Sequence, residues 1–477
     1  MRLDELAATA GARRVDPLPV GRDRAGAEPV AGEVVDCTHD SRQVRPGWLF
    51  CCLPGAVTDG HVHAAAAVAA GACALLVERP LDLGVPQFQV ASVRAVLGRV
   101  ADAVHGSPSA ALRVVGVTGT NGKTTTAWLV RFLFEHAGQR CGMLGTLTGA
   151  RTTPEAPDLQ RALAGFRGEG CTAVAMEVSS HALALHRTDG TRFAVGVFTN
   201  LGRDHLDFHG TMDAYFAAKA RLFEAGACTV GVVNTDDPWG RRLAEQAGVP
   251  VVAYGMADAA GLELGPTRSR FSWRGHPVEV PLGGTFNVGN ALAALEAVVA
   301  AGVEPGTAAA GLASVPPVPG RFEAVDAGQP FAVVVDYAHT PEGLEAVLVA
   351  ARAGTAGRVL VVFGCGGDRD ADKRPRMGAV AAERADVVVL TSDNPRSEDP
   401  AAIIAAVLDG IAPPHRSRTV VEPERRAAIA TAFAEARPGD VVVIAGKGHE
   451  TTQDLGPAGT VPFDDRAVAR ELLEARP

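Results

Sequence analysis

Residues 116–126, "GVTGTNGKTTT", set glycine, lysine and hydroxyl side chains at the spacing of a phosphate-binding loop. Gly119 and Gly122 let backbone N–H groups approach phosphate oxygens, and a helix starting just after them favours negative charge. Lys123 is placed to reach β- and γ-phosphates, and the Thr124 hydroxyl suits Mg²⁺. The common form G-x-x-x-x-G-K-[ST] asks for glycine at 117, but this chain has Val117 and carries its glycine at 116. The candidate nucleotide loop is therefore Gly116, Val117, Thr118, Gly119, Thr120, Asn121, Gly122, Lys123, Thr124 and Thr125. No N-K-x-D guanine signature follows it, which disfavours a GTPase.

Six further polar clusters stand out: "EVSSH" (177–181), "TNLGRDHLDFHG" (199–210), "DYAHTPEG" (336–343), "GCGGDRDADKRPRMG" (364–378), "SDNPRSEDP" (392–400) and "GKGHE" (446–450). The lysines fall inside or beside these motifs. Only Lys123, Lys219, Lys373 and Lys447 stand among 45 basic residues, the other 41 being arginine. A chain that uses arginine wherever charge alone is needed keeps lysine where a compact charge, or an amine able to lose its proton, is required.

These groups need elements to carry them. The runs "LRVVGV", "TAVAMEV" and "FAVGVFTNL" in the middle of the chain, and "FAVVVDYA", "GRVLVVFG", "ADVVVLTS" and "DVVVIAG" near its end, read as buried parallel strands alternating with helices. Each polar cluster follows one of these runs, and open parallel sheets bind ligands at the carboxyl ends of their strands. Two such sheets predict a site in the cleft between two domains. "HGSPSAALR" and "SVPPVPGRFE" read as joints, dividing the 477 residues into domains at 1–107, 108–318 and 319–477. The fold expected is α/β throughout, with a central P-loop sheet and a Rossmann-like last domain.

The composition, 47% apolar and 21% charged, is that of a soluble globular protein. A net charge of −9 without a basic tract argues against nucleic acid and membrane surfaces. No signal peptide and no membrane span are expected. Eight scattered cysteines, none in C-x-x-C, predict buried thiols in a reducing compartment and no zinc site.

Together, "GVTGTNGKTTT", "MEVSSHAL", "NLGRDHLDFHG" and "DYAHTPEGL" resemble the Mur ligases, ATP-dependent amide-forming enzymes of peptidoglycan synthesis. The shifted glycine is that family's form of the loop. The resemblance runs from about residue 34 to the end of the chain. It implies Glu177 and His205 as Mg²⁺ partners and a carbamylated Lys219 that helps hold a second Mg²⁺. It implies Asn290, in "FNVGNALAAL", as an adenine contact, with Arg321 and Asp336 as nucleotide contacts from the last domain. ATP would then be shared by two domains, and closure would assemble the site.

The first domain resembles the family's UDP-binding domain. Ser41 lies in its opening motif "DSRQVRPGWLF", and "GAVTDGH" (55–61) reads as a second uridine-side loop. Thr152, Thr153, Ser179 and Arg187 match contacts to the nucleotide-sugar peptide. Leu185 stands where some relatives have Gln and offers no side-chain hydrogen bond there.

Within the same resemblance, "DNPR" and "GKGHE" are similar to family motifs that imply an acceptor pocket for meso-diaminopimelate, to be joined to UDP-MurNAc-L-Ala-D-Glu. Arg396 has the planar fork for a distal carboxylate. Asp393, Asn394 and Glu450 can receive the distal ammonium, Arg369 resembles a further contact, and Pro395 and Gly446 complete the pocket. ATP and Mg²⁺ are the expected cofactors, and a cytoplasmic monomer is the expected form. Two alternatives stay open: a ligase for another amino acid or of the folylpolyglutamate synthase type, and a catalytically silent protein that senses a cell-wall precursor.

Overall fold

The apolar runs become strands of three separate, mainly parallel sheets in the computed structural model, which describes residues 1–16, 33–55, 58–265 and 267–476. The expected uridine-side loop at 55–61 includes residues 56 and 57, which lie outside the described residues. The chain divides into two compact units, residues 1–253 with 300–302, and residues 254–299 with 303–477.

The first unit holds two of the sheets. Its N-terminal sheet contains β1 (Arg13–Val15), β2 (Asp36–Thr38), β3 (Trp48–Cys51), β4 (Ala74–Val77) and β5 (Gln87–Gln89), ordered β1-β5-β4-β3-β2. Only the β1–β5 pair is antiparallel. The central sheet contains β6 (Arg113–Thr118), β7 (Cys141–Leu144), β8 (Ala173–Glu177), β9 (Phe193–Phe198), β10 (Cys228–Asn234) and β11 (Val251–Tyr254), ordered β11-β10-β9-β6-β8-β7. Its strands are apolar without alternation because helices cover both faces; every residue of β8 is buried. β6 lies between β8 and β9, so the loops that leave all three strands meet at one edge.

An ion-paired seam joins these two sheets. Arg161 donates to Asp36 at 2.8 and 3.0 Å and to the Cys37 carbonyl at 2.7 Å, and its guanidinium lies over the Trp48 ring. Burial raises the pKa of Asp36, but bonds from His105 and Arg161 outweigh it and hold the carboxyl at about 2. Asp36, Cys37 and His105 bring ligand-type atoms within 4.8 Å of one another. A cation there would have to displace Arg161.

The second unit opens with an antiparallel sheet, β12 (Ala260–Leu264), β13 (Ser269–Trp273) and β14 (His276–Val280). A helix, Thr285–Ala300, begins next. The last large sheet contains β15 (Glu323–Ala324), β16 (Ala332–Asp336), β17 (Val359–Phe363), β18 (Val387–Leu390), β19 (Thr419–Val421) and β20 (Val441–Ala445), ordered β15-β16-β20-β17-β18-β19. All its pairs are parallel except β15–β16. A short hairpin, β21 (Thr452–Asp454) and β22 (Thr460–Pro462), follows. The four neighbours β16, β20, β17 and β18 end at "DYAHTPEG", "GKGHE", "GCGGDRD" and "SDNPR", which brings the last domain's polar clusters to a single edge.

All eight cysteines are buried and unpaired. Among the described residues, no helix is long and apolar enough to cross a membrane.

Candidate active site

The phosphate loop follows β6 and turns into the helix Lys123–His136. Gly119 (φ 153°) and Gly122 (φ 86°) hold backbone angles that favour glycine. A Cβ on Gly119 would lie 1.9 Å from Thr199 Oγ1, because the loop after β9 straps this one down. Thr199 Oγ1 donates to the Asn121 carbonyl at 2.6 Å, and Asn121 N–H donates to Asn200 Oδ1 at 2.9 Å. Thr120 Oγ1 accepts from Gly202 N–H at 2.9 Å.

Gly116 and Val117 are interior residues of β6. A Cβ on Gly116 would lie 2.6 Å from the Phe193 ring, so the displaced glycine serves packing beneath the loop.

Two lysines converge on one carbonyl. Lys123 Nζ donates to the carbonyls of Gly119 and Thr120, both at 2.9 Å, and Lys219 Nζ donates to the same Gly119 oxygen at 2.8 Å. Lys219, from the helix Met212–Ala220, is buried with its amine 4.7 Å from the centre of the Tyr215 ring. Burial, reinforced by the charge on Lys123, pushes the Lys219 amine well below the ordinary lysine range.

Glu177 ends β8, and its carboxylate is held at several points. Oε2 accepts from Thr124 Oγ1 at 2.9 Å and from Thr146 Oγ1 at 3.3 Å, while Oε1 accepts from Thr146 N–H at 2.8 Å. Thr146 had no distinguishing mark in the sequence. Thr152 joins the group through Thr146, hydroxyl to hydroxyl at 3.2 Å. Thr153 Oγ1 donates to the Glu177 carbonyl at 2.9 Å and accepts from Ser179 N–H at 3.0 Å. Ser179 also caps the helix Ser180–Ala184.

Arg187 donates to the Thr153 carbonyl at 3.3 Å and pairs with buried Glu155 at 3.0 Å. Arg94 and Arg151 pair with the same glutamate at 2.8 and 3.0 Å, so one carboxylate carries three guanidinium groups. Arg94 also donates to the carbonyl of Leu185 at 3.4 Å.

His205 lies in the loop after β9. It heads a short helix at φ 52° and pairs with Asp204 at 3.3 Å, and its ring centre lies 4.8 Å from that of His181. Ser41 begins a 3₁₀ turn capped by Asp40.

In the second unit, Asn290 is buried and donates to Asn287 at 3.2 Å. Asp336 ends β16 and accepts from the N–H groups of Phe322 and Ala338, both at 2.7 Å, which ties the joint carrying Arg321 to this strand end. Arg321 lies over the Tyr337 ring at 4.5 Å. Burial pushes the Asp336 carboxyl up despite the Arg321 charge and both backbone bonds.

The loops after β18 and β20 interlock. Asn394 Nδ2 donates to Glu450 Oε2 at 2.9 Å, and Lys447 Nζ donates to Asn394 Oδ1 at 3.2 Å. Asp393 is buried and its carboxyl pushed up by desolvation; a Cβ on Gly446 would lie 2.6 Å from its Oδ2. Pro395 is buried beside them. Arg396 (φ 51°) donates to the Gly367 carbonyl at 2.6 Å, and Arg369 is exposed on that same loop after β17.

Beneath these loops lies the buried pair Arg425–Asp465, at 2.7 Å. The Arg425 guanidinium also donates to the carbonyls of Ser392 and Ala445 at 3.3 and 2.9 Å.

Comparison with known proteins gives the class first. Residues 33–112 match the family model described as "Mur ligase family, catalytic domain", residues 117–298 the "Mur ligase middle domain", and residues 320–448 the "Mur ligase, glutamate ligase domain". The chain belongs to the Mur ligase family. Among its relatives, UDP-N-acetylmuramoyl-L-alanyl-D-glutamate–2,6-diaminopimelate ligase of Streptomyces coelicolor is 49% identical over 93% of each chain. The protein of the same name from Syntrophomonas wolfei is 44% identical over 94% of this chain and 96% of its own. A solved structure with that ligase name superposes with a TM-score of 0.68 at 34% identity, covering 100% of this chain and 99% of its own. A folylpolyglutamate synthase from Mycobacterium tuberculosis, complexed with ADP and AMPPCP, shares the fold at 19% identity with a TM-score of 0.60, covering 79% of this chain and 94% of its own.

Proposed function

We propose that this chain is an ATP-dependent ligase that joins the amine of meso-diaminopimelate to the D-glutamyl γ-carboxylate of UDP-MurNAc-L-Ala-D-Glu, in the cytoplasm. What carries this reading is the interlocking of the "DNPR" and "GKGHE" loops through Asn394, Lys447 and Glu450, in a chain whose full-length relatives bear that ligase name.

A carboxylate does not acylate an amine unaided. Transfer of the γ-phosphoryl group of ATP to a carboxylate oxygen gives an acyl phosphate and ADP. The amine lone pair then adds to the carbonyl carbon; the tetrahedral intermediate expels phosphate, and the nitrogen gives up a proton. Both steps depend on positioning and charge neutralisation. The N–H groups of residues 119–124 and the Lys123 ammonium supply these to the phosphates, with Asn290, Arg321 and Asp336 as the other nucleotide contacts. Ser41, Thr152, Thr153, Ser179 and Arg187 hold the nucleotide-sugar peptide.

Thr124, Glu177, His205 and Lys219 are the residues that would hold Mg²⁺. Two of the donors fit directly, since Thr124 Oγ1 and Glu177 Oε2 are hard oxygens only 2.9 Å apart, and His205 joins them on the family resemblance. When bound, the ion neutralises phosphate charge. Lys219 joins this set as a carbamate: its amine adds to CO₂, a C–N bond forms, and the nitrogen's proton leaves to solvent. Only a neutral amine does this, and the buried, charge-opposed setting of Lys219 favours that form.

At the acceptor end, Arg396 and Arg369 would take the distal carboxylate, while Asp393, Asn394 and Glu450 take the ammonium. Leaving such a charged partner unmatched costs about 1–3 kcal/mol, enough to discriminate against L-lysine.

The test is phosphate release with ATP, Mg²⁺ and UDP-MurNAc-L-Ala-D-Glu, with meso-diaminopimelate and L-lysine in parallel and the product mass checked. Turnover with diaminopimelate alone is expected. Turnover with lysine instead would keep the ligase and overturn the role of Arg396; none with either would overturn the reading.

A further inference from the structure

Lys447 helps interlock the acceptor loops but is given no substrate contact in the scheme above, and its surroundings are unusually complete. It is fully buried, and its ammonium meets three acceptors, one from the loop after β18 and two from its own loop: Asn394 Oδ1 at 3.2 Å, Glu450 Oε2 at 3.0 Å and the Thr452 carbonyl at 2.6 Å. An ammonium has three protons to donate, so none remains for a ligand.

Those bonds decide how the neighbouring side chains face. Asn394 Oδ1 accepts from both Lys447 and the Asp454 N–H, the latter at 2.9 Å. The amide must therefore turn its NH₂ the other way, and it donates to Glu450 Oε2 at 2.9 Å. Asn394 and Lys447 thus take the same carboxylate oxygen, and Oε1 is left for an incoming cation.

Charge gives a second reason. Asp393 and Glu450 put two carboxyl groups on these loops, and the Lys447 ammonium offsets one of them. Residue type gives a third. In a chain with 41 arginines, a planar five-donor fork could not serve three acceptors grouped around one point.

We propose that Lys447 is the positioning residue of the amino-acid pocket: it fixes the Asn394 amide and the Glu450 carboxylate in the orientation that receives the acceptor's distal ammonium. This rests on the acceptor reading given above, and the experiment separates the two.

The wild-type chain is assayed first with meso-diaminopimelate and L-lysine, and Lys447→Met is then assayed with whichever amine turns over. The KM for that amine rises at least tenfold, kcat stays within about threefold, and the KM values for ATP and the nucleotide substrate stay within about twofold, a tenfold change corresponding to about 1.4 kcal/mol. An unchanged KM for the amine, or a parallel rise in all three KM values, would overturn the proposal. If Lys447→Met does not accumulate as folded protein, Lys447→Gln is read in the same way, since it removes the charge but keeps a hydrogen-bonding end. A wild-type chain that uses neither amine overturns the acceptor reading and this proposal with it.

Discussion

Lys219 and Lys447 are both fully buried, and the chain treats them in opposite ways. Lys219 donates to one carbonyl, faces an aromatic ring and has the Lys123 charge beside it. Lys447 has a carboxylate, an amide oxygen and a carbonyl around it. Taking a charge out of water is costly unless its partners replace the lost hydration. The phosphate-loop region withholds those partners and so favours a neutral, nucleophilic amine, while the acceptor region supplies all of them and makes a fixed cation. Residue type is the same in both places; the neighbours decide between reactivity and architecture.

The strongest way to break this contrast is Lys219→Arg. It keeps a cation but cannot form a carbamate, and kcat is expected to fall about 100- to 1000-fold, the scale of losing one group that stabilises the transition state. Steady-state phosphate release reads the loss, and intact mass shows whether the wild-type chain carries one added CO₂. Full activity in the variant would make Lys219 another architectural lysine. A smaller effect is expected from Arg396→Lys, which replaces the fork on the acceptor side. The KM for diaminopimelate should rise roughly 10- to 100-fold with little change for ATP, as expected for a hydrogen bond to a charged group. The smallest effect sharpens the acceptor side alone. Burial, with the Arg321 charge, lowers the His449 imidazole from 6.5 to about 4. The folded state therefore keeps it neutral where the unfolded chain binds a proton, so stability is lost as pH falls from 6.5 towards 4. Chemical denaturation across that range should show a shallower decline in His449→Gln.

Much of this was legible in the sequence because the seven apolar runs of the middle and last domains are continuous, as strands covered on both faces must be. The lysine census was equally readable, since it needs no partner to be known. The antiparallel sheet β12–β14 was not picked out. Its strands are half exposed, and its tight turn is Arg274–Gly275, both at positive φ, where arginine hides the usual Asn-Gly signal. Glu155 stood in plain view within "RTTPEAPDLQ" beside Arg151, but its other partners Arg94 and Arg187 come from segments that only the tertiary fold brings together. The glycine at 116 was read as part of the phosphate loop, and its contact with Phe193 needed the neighbouring strand to be seen.

The Arg425 fork touches the carbonyl that precedes "DNPR" and the one that precedes "GKGHE", with Asp465 bracing it from behind. Mechanically, that makes the two loops one part. A displacement at the end of β18 is carried through a rigid guanidinium to the end of β20, so the loops shift together or not at all. The conformational entropy of arranging them is surrendered when the chain folds, and an arriving amino acid meets a receptor whose two sides are already in register.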